Sequence, residues 1–181
     1  MRANKLSITT RRLCLIAILA AVLCVLAPWS VAIGPIPLTL ALFAVYLAGA
    51  VAGVWDGVCA VLLYLFMGAV GLPVFSGFAG GVQKLVGMTG GYLWGYVPCV
   101  LIVSLTIHYF GSKRWAYPVG MVLGTMVCYC VGTAWFMVVT KSTLAAAFAA
   151  CILPFLPGDA IKIAAASVIS PRVRQALEKR M

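Results

Sequence analysis

Acidic residues are almost missing from this chain: Asp56, Asp159 and Glu178 are the only three in 181 positions. None lies close to another in sequence, so there is no carboxylate cluster of the kind that metal or phosphate chemistry needs. Histidine is scarcer still, with His108 alone. Ser76 and His108 are the one nucleophile and base that suggest an intramembrane serine protease. No Gly-x-Ser-x-Gly frame surrounds Ser76, however, and the topology argued below puts the two at opposite faces. No Gly-x4-Gly-Lys-Ser/Thr motif is present, so the chain does not drive transport with ATP by itself. The seven cysteines (Cys14, Cys24, Cys59, Cys99, Cys128, Cys130 and Cys151) are odd in number and include no Cys-x-x-Cys. They read as small apolar helix residues. An enzyme is not expected, nor a metal site, nor a cofactor of the chain's own.

What the chain has instead is apolar length. Hydrophobic residues make up 65% of it and charged residues only 9%, against roughly 25% charged in a soluble domain. Several apolar runs reach the ~20 residues that a helix needs to cross a bilayer, and the short alternating strands of a β-barrel are absent. The net charge is +10. In a soluble protein that excess would suggest nucleic acid. Here the basic residues cluster at the ends of apolar runs, so the lipid bilayer and the positive-inside rule explain them, and no nucleic acid is expected. Arg2, Lys5, Arg11 and Arg12 imitate the start of a signal peptide. The run from Leu13 to Ile33 nevertheless spans a full bilayer without a convincing small-x-small cleavage site, and reads as a retained first helix.

Taken in order, the spans are expected at about 13–33, 38–53, 58–73, 91–110, 116–139 and 158–178. Pro28 breaks the first near its outer end, and Gly34-Pro35-Ile36-Pro37 is a short extended connection. Gly53 to Gly57, with Asp56, reads as a tight turn, and 74–90 as a Gly-rich outer loop. The stretch from Lys141 to Ser170 is too long for one upright helix at 1.5 Å per residue. It divides into a short outer helix over 143–153, capped by Ser142 or Thr143, and a last span after the prolines. Ser170-Pro171 is a kink or the cap of a final amphipathic turn. Ten basic residues then fall on one side: four near the start, Lys113 and Arg114, and Arg172, Arg174, Lys179 and Arg180. Lys84 and Lys141 fall on the other. The expected fold is an all-α integral membrane protein of six transmembrane helices with both termini cytoplasmic. This topology brings the Gly-rich loop and the start of the last span to the same, outer side.

That start carries the most unusual residues. In Leu153-Pro-Phe-Leu-Pro-Gly-Asp-Ala-Ile-Lys162 an acid and a base stand three apart, on one face of a helix, inside an apolar region. A charged pair there is costly unless it is satisfied internally or meets a ligand. Two readings stand: a self-satisfied pair that holds helices in register, or two groups that bind a small polar ligand. We take the ligand reading. Tyr92, Trp94 and Tyr96 are either an interfacial aromatic belt or a ligand wall. His108 reads as interfacial. Gln83 and Lys84 are unusual polar residues in the loop, and Gln83 joins the candidate contacts. Ala17-Ile-Leu-Ala-Ala21 is a small-x3-small pattern that lets helix backbones approach closely in lipid.

In order along nearly the whole chain, Gly34-Pro-Ile-Pro-Leu-Thr39, Gly68-Ala-Val-Gly-Leu-Pro-Val-Phe-Ser-Gly77, Gly80-Gly81, Gly87-Met-Thr-Gly-Gly-Tyr92 and Pro157-Gly-Asp-x-x-Lys162 resemble the BioY family. That family supplies the biotin-capture (S) component of energy-coupling factor (ECF) transporters. Met88 stands where the family often has proline, and Ala41 near a common glutamine. The resemblance implies a six-helix S-component fold in the cell membrane and a buried biotin near the outer face. Its partners would be a transmembrane scaffold subunit and two ATPases, which alone use ATP. Asp159 and Lys162 would be polar contacts to biotin, Gly80, Gly81 and Tyr92 would line the pocket, and Ala17 and Ala21 would match the face that docks the scaffold. The alternatives are an S component for thiamine or riboflavin, or a structural membrane protein.

Overall fold

The computed structural model of the chain describes residues 10–32, 36–110 and 113–179, with all side chains but those of Ala32, Glu178 and Lys179. Arg2, Lys5, Arg180 and the Gly34-Pro35 half of the expected connection lie outside the described residues. The chain opens with α1 (Thr10–Leu26), followed by β1 (Ser30–Ala32), β2 (Pro37–Thr39), α2 (Ala41–Val51) and α3 (Val54–Ala69). Then come α4 (Val82–Val86), α5 (Gly90–Tyr109), α6 (Ala116–Thr140), α7 (Leu144–Cys151) and α8 (Leu156–Lys179).

The boundaries follow local chemistry. α1 stops at Leu26 rather than running to 33, because Pro28 cannot donate to a helix ladder. The chain turns instead into an antiparallel hairpin that pairs Ser30 with Thr39 and Ala32 with Pro37. Pro37 sits at the first residue of its strand, a position that tolerates a missing N–H. Residues 38 and 39 are therefore strand, and α2 starts after Thr39 Oγ1 accepts the Ala41 N–H at 3.2 Å. Gly53 is the N-cap of α3 and not the start of a turn through Gly57. Asp56 thus lies in the first turn of α3, where the helix dipole favours a carboxylate. Thr143, not Ser142, caps α7, its hydroxyl accepting the Ala146 N–H. Pro157 falls in the first turn of α8, whose N–H groups have no helical partner. Pro171 lies inside α8, which continues past it.

α2 is the centre of the packing. Eight of its 11 residues are buried, and it touches α1, α3, α5 and α8. The most extensive pairing is α5 on α6, along a seam of small residues. A Cβ on Gly132 would lie 2.5 Å from the Tyr92 ring, one on Gly91 2.2 Å from Trp135 Cβ, and one on Gly124 3.0 Å from the Cys99 carbonyl oxygen. Glycine permits that approach without displacing a neighbour. α5 and α6 are long and apolar enough to cross a bilayer, and α7 with α8, bent by 49°, passes the same test as a pair. α2 and α3 are apolar but shorter.

The two ends of the bundle differ. At one, Arg12 at the start of α1 pairs with Asp56 on α3, and Arg11 donates to the Leu177 carbonyl near the end of α8. At the other, the β1–β2 hairpin, the Gly-rich segment, α4 and the start of α8 surround a cleft.

Candidate functional site

The cleft is lined by the hairpin (Pro37, Leu38, Thr39), by the Gly-rich segment and α4 (Phe75, Ser76, Lys84), and by Asp159 and Lys162 of α8. Aromatic rings make much of the remaining wall (Tyr64, Tyr92, Tyr96, Tyr129 and Phe155), beside aliphatic residues and Thr89. Phe75 meets Tyr64 edge to face at 5.6 Å, its ring lying where Gly68 leaves no side chain in the way. Gly158 does the same for the hairpin. A Cβ there would lie 3.0 Å from Leu38 Cδ2, so the glycine lets the hairpin rest directly on the start of α8, next to Asp159.

Asp159 and Lys162 are buried, at 3% and 8% exposure. Lys162 Nζ donates to Asp159 Oδ1 at 2.7 Å, one helical turn apart as the i,i+3 spacing dictates. The Tyr129 hydroxyl, from α6, donates to Asp159 Oδ2. Each carboxylate oxygen thus has one donor and keeps lone-pair capacity on the cleft side, since a carboxylate oxygen accepts more than one hydrogen bond. The Tyr92 hydroxyl lies 3.4 Å from Thr133 Oγ1 and 3.4 Å from the Cys151 carbonyl oxygen. These long contacts tie the cleft wall to α6 and α7.

The structure therefore brings Asp159, Lys162 and Tyr92 together. It does not bring Gly80, Gly81 or Gln83 into the lining. Gly80 is pressed against backbone, a Cβ there lying 2.3 Å from the Leu72 carbonyl oxygen. Gly81 has a positive φ of 95° and donates to the Gly68 carbonyl at 2.7 Å, which shapes the entry to α4. Gln83 is exposed on α4, and its neighbour Lys84 is the residue that faces the cleft. Of the three aromatics at the start of α5, Tyr92 and Tyr96 line the cleft, four residues apart on one face. Trp94 points away and donates to the Leu85 carbonyl at 3.3 Å. Tyr129 was not singled out from sequence, because nothing local links it to an acid 30 positions away. Ala17 and Ala21 lie exposed on the outer face of α1.

A family model described as the BioY family matches residues 1–179. The chain belongs to the BioY family. Among the curated BioY relatives, the probable biotin transporter BioY of Pyrococcus horikoshii is 37% identical over 163 residues, covering 88% of this chain and 94% of that protein. The biotin transporter BioY of Thermotoga maritima is 36% identical over 154 residues, covering 84% and 90%. The fold of this BioY-family chain is that of a solved S-component for biotin from an ECF-type ABC transporter, with a TM-score of 0.84 over 97% of this chain and 95% of that one, at 23% identity.

Proposed function

We propose that this chain is the biotin-capture subunit of an ECF-type uptake transporter in the cytoplasmic membrane. The observation that carries the reading is the buried Asp159–Lys162–Tyr129 cluster opening onto an aromatic cleft in a chain of the BioY family. Biotin suits such a cleft. Its ureido N–H groups fit the free lone pairs of Asp159, its ureido carbonyl can take a second proton of Lys162, and its apolar thiophane ring fits between tyrosine and phenylalanine rings.

The chain itself carries out no chemistry and needs no cofactor. Transport is powered by partners, a transmembrane scaffold subunit and two ATPase subunits. The six helices α1, α2, α3, α5, α6 and α8 lie in the bilayer with both termini cytoplasmic, which puts the cleft on the outer side, and the small protein reorients to carry biotin inward. The exposed Ala17 and Ala21 on α1 offer the scaffold a surface for close helix contact.

The test is biotin binding to the detergent-purified chain by calorimetry, with Asp159→Asn and Lys162→Met alongside. Wild type binds tighter than about 1 μM (about −8 kcal/mol), and each variant loses at least about tenfold (~1.4 kcal/mol). Normal binding by both variants would mean the site lies elsewhere. Binding of thiamine or riboflavin in place of biotin would make this an S component for another vitamin. Stabilisation by no vitamin would favour a structural membrane protein.

A further inference from the structure

Three charged side chains line the cleft: Asp159, Lys162 and Lys84. The first two cancel each other at 2.7 Å. Lys84 has no such partner, and among the described residues its ammonium makes no hydrogen bond or ion pair. Nor do the described residues hold an acid that reaches it. Asp159 is engaged by Lys162 and Tyr129, and Asp56 is held by Arg12 at the opposite end. Glu178 lies 19 positions further along α8 than Asp159, about 28 Å at 1.5 Å per residue. The cleft therefore carries one uncompensated positive charge.

The backbone that carries that charge is held in place. α4 is only five residues long, but two indoles fasten it to the long helices behind. Trp94 Nε1 of α5 donates to the Leu85 carbonyl at 3.3 Å, and Trp135 Nε1 of α6 donates to the Gly87 carbonyl at 3.0 Å. The Gly81 N–H donates to Gly68 of α3 at 2.7 Å. Gly90 removes the side chain that would collide with the Leu85 carbonyl, 2.0 Å from an added Cβ. Lys84 sits in the middle of this fastened segment and lines the cleft from α4, whereas the pair lines it from α8.

We propose that Lys84 is a second anchor of the site, which takes the carboxylate of an anionic ligand and so makes the cleft select a free acid. The inference rests on the biotin reading above and sharpens it. A ligand with a neutral polar head and a single carboxylate tail matches a cleft that holds a neutralised pair on α8 and a separate, lone ammonium on α4. It fixes the orientation: ureido head towards Asp159, valerate tail towards Lys84. The ammonium–carboxylate contact is charge-assisted, the stronger kind of hydrogen bond.

The experiment compares biotin with biotin methyl ester, which lacks the charge, on the detergent-purified full chain by calorimetry. The proteins are wild type, Lys84→Met and Lys84→Arg. Wild type prefers biotin to the ester by roughly tenfold or more, the size expected of one charge-assisted contact. Lys84→Met loses that preference by weakening biotin alone, with ester binding kept as proof that the site is folded. Lys84→Arg keeps the preference. If Lys84→Met weakens both ligands equally, the residue only supports the loop, and the inference is overturned. If it weakens neither, the carboxylate is taken elsewhere, with the same result. A wild-type chain that binds neither ligand overturns the biotin reading and this inference with it, whereas one that binds both equally overturns the inference and leaves the reading intact.

Discussion

Two ion pairs hold both acids whose side chains are described, and they are built for different ends. Arg12–Asp56 joins α1 to α3 across 44 positions, with the arginine side chain 37% exposed and Nε within 3.1 Å of both carboxylate oxygens. It ties two helices together, and its arginine can return to solvent if the partner goes. Asp159–Lys162 lies within a single helix, with side chains 4% and 9% exposed. It brings no new segments together, yet both charges have left water, which costs several kcal/mol per ion before their attraction offsets it. A pair that costs much and whose own contact joins no two segments is better explained by what it offers a ligand than by what it does for the fold. Among the described residues, Tyr129 is its one hydrogen-bonded tie to another helix.

The sharpest way to break this contrast is to remove one partner of the buried pair. Lys162→Met leaves Asp159 buried beside Tyr129 alone and is expected to destabilise the apo-protein by about 3–5 kcal/mol, read as a lowered melting temperature in detergent. Adding Asp159→Asn to it removes the orphaned charge and restores most of that loss, while biotin binding stays weakened. A double variant as unstable as the single one would show that the pair is structural after all. Next in size is Tyr129→Phe, which deletes a hydrogen bond to a charged group, about 1.5–3 kcal/mol. It should lower the melting temperature and weaken biotin several-fold; no change in either would remove Tyr129 from the site. At the opposite end Arg12→Ala strands a buried carboxylate and lowers the melting temperature, leaving biotin affinity at the wild-type value. Asp56→Asn is expected to do less, since the half-exposed arginine left behind finds water. A loss of biotin affinity in either variant would mean that the two ends are coupled.

The sequence makes local geometry legible and leaves contact across the fold obscure. Asp159 and Lys162 are three apart on one helix, so their meeting needs no knowledge of the tertiary structure. Tyr92 and Tyr96 share a face for the same reason, and alternating helices with positive charge at their ends put the Gly-rich segment beside the start of α8. Gly80 and Gly81 went the other way. A glycine that admits a ligand and a glycine that admits neighbouring backbone look alike in sequence, and both of these serve backbone. The hairpin and α4 were hidden for a related reason: three-residue strands and a five-residue helix carry no periodicity to read. Tyr129 reaches Asp159 only because α6 and α8 meet. Lys84 is an odd residue for its loop in sequence, but only its place on α4 turns it, rather than Gln83, towards the cleft.

The glycine seam between α5 and α6 has a consequence for how the protein can vary over generations. Gly132 faces the Tyr92 ring itself, so any larger residue there is tolerated only if Tyr92 shrinks or swings, and Tyr92 is a wall of the cleft. A helix-packing position and a ligand-facing position must therefore change together or not at all. Neither helix offers a route of single small steps, and a lineage that repacks its seam alters, in the same event, the shape of what it can carry.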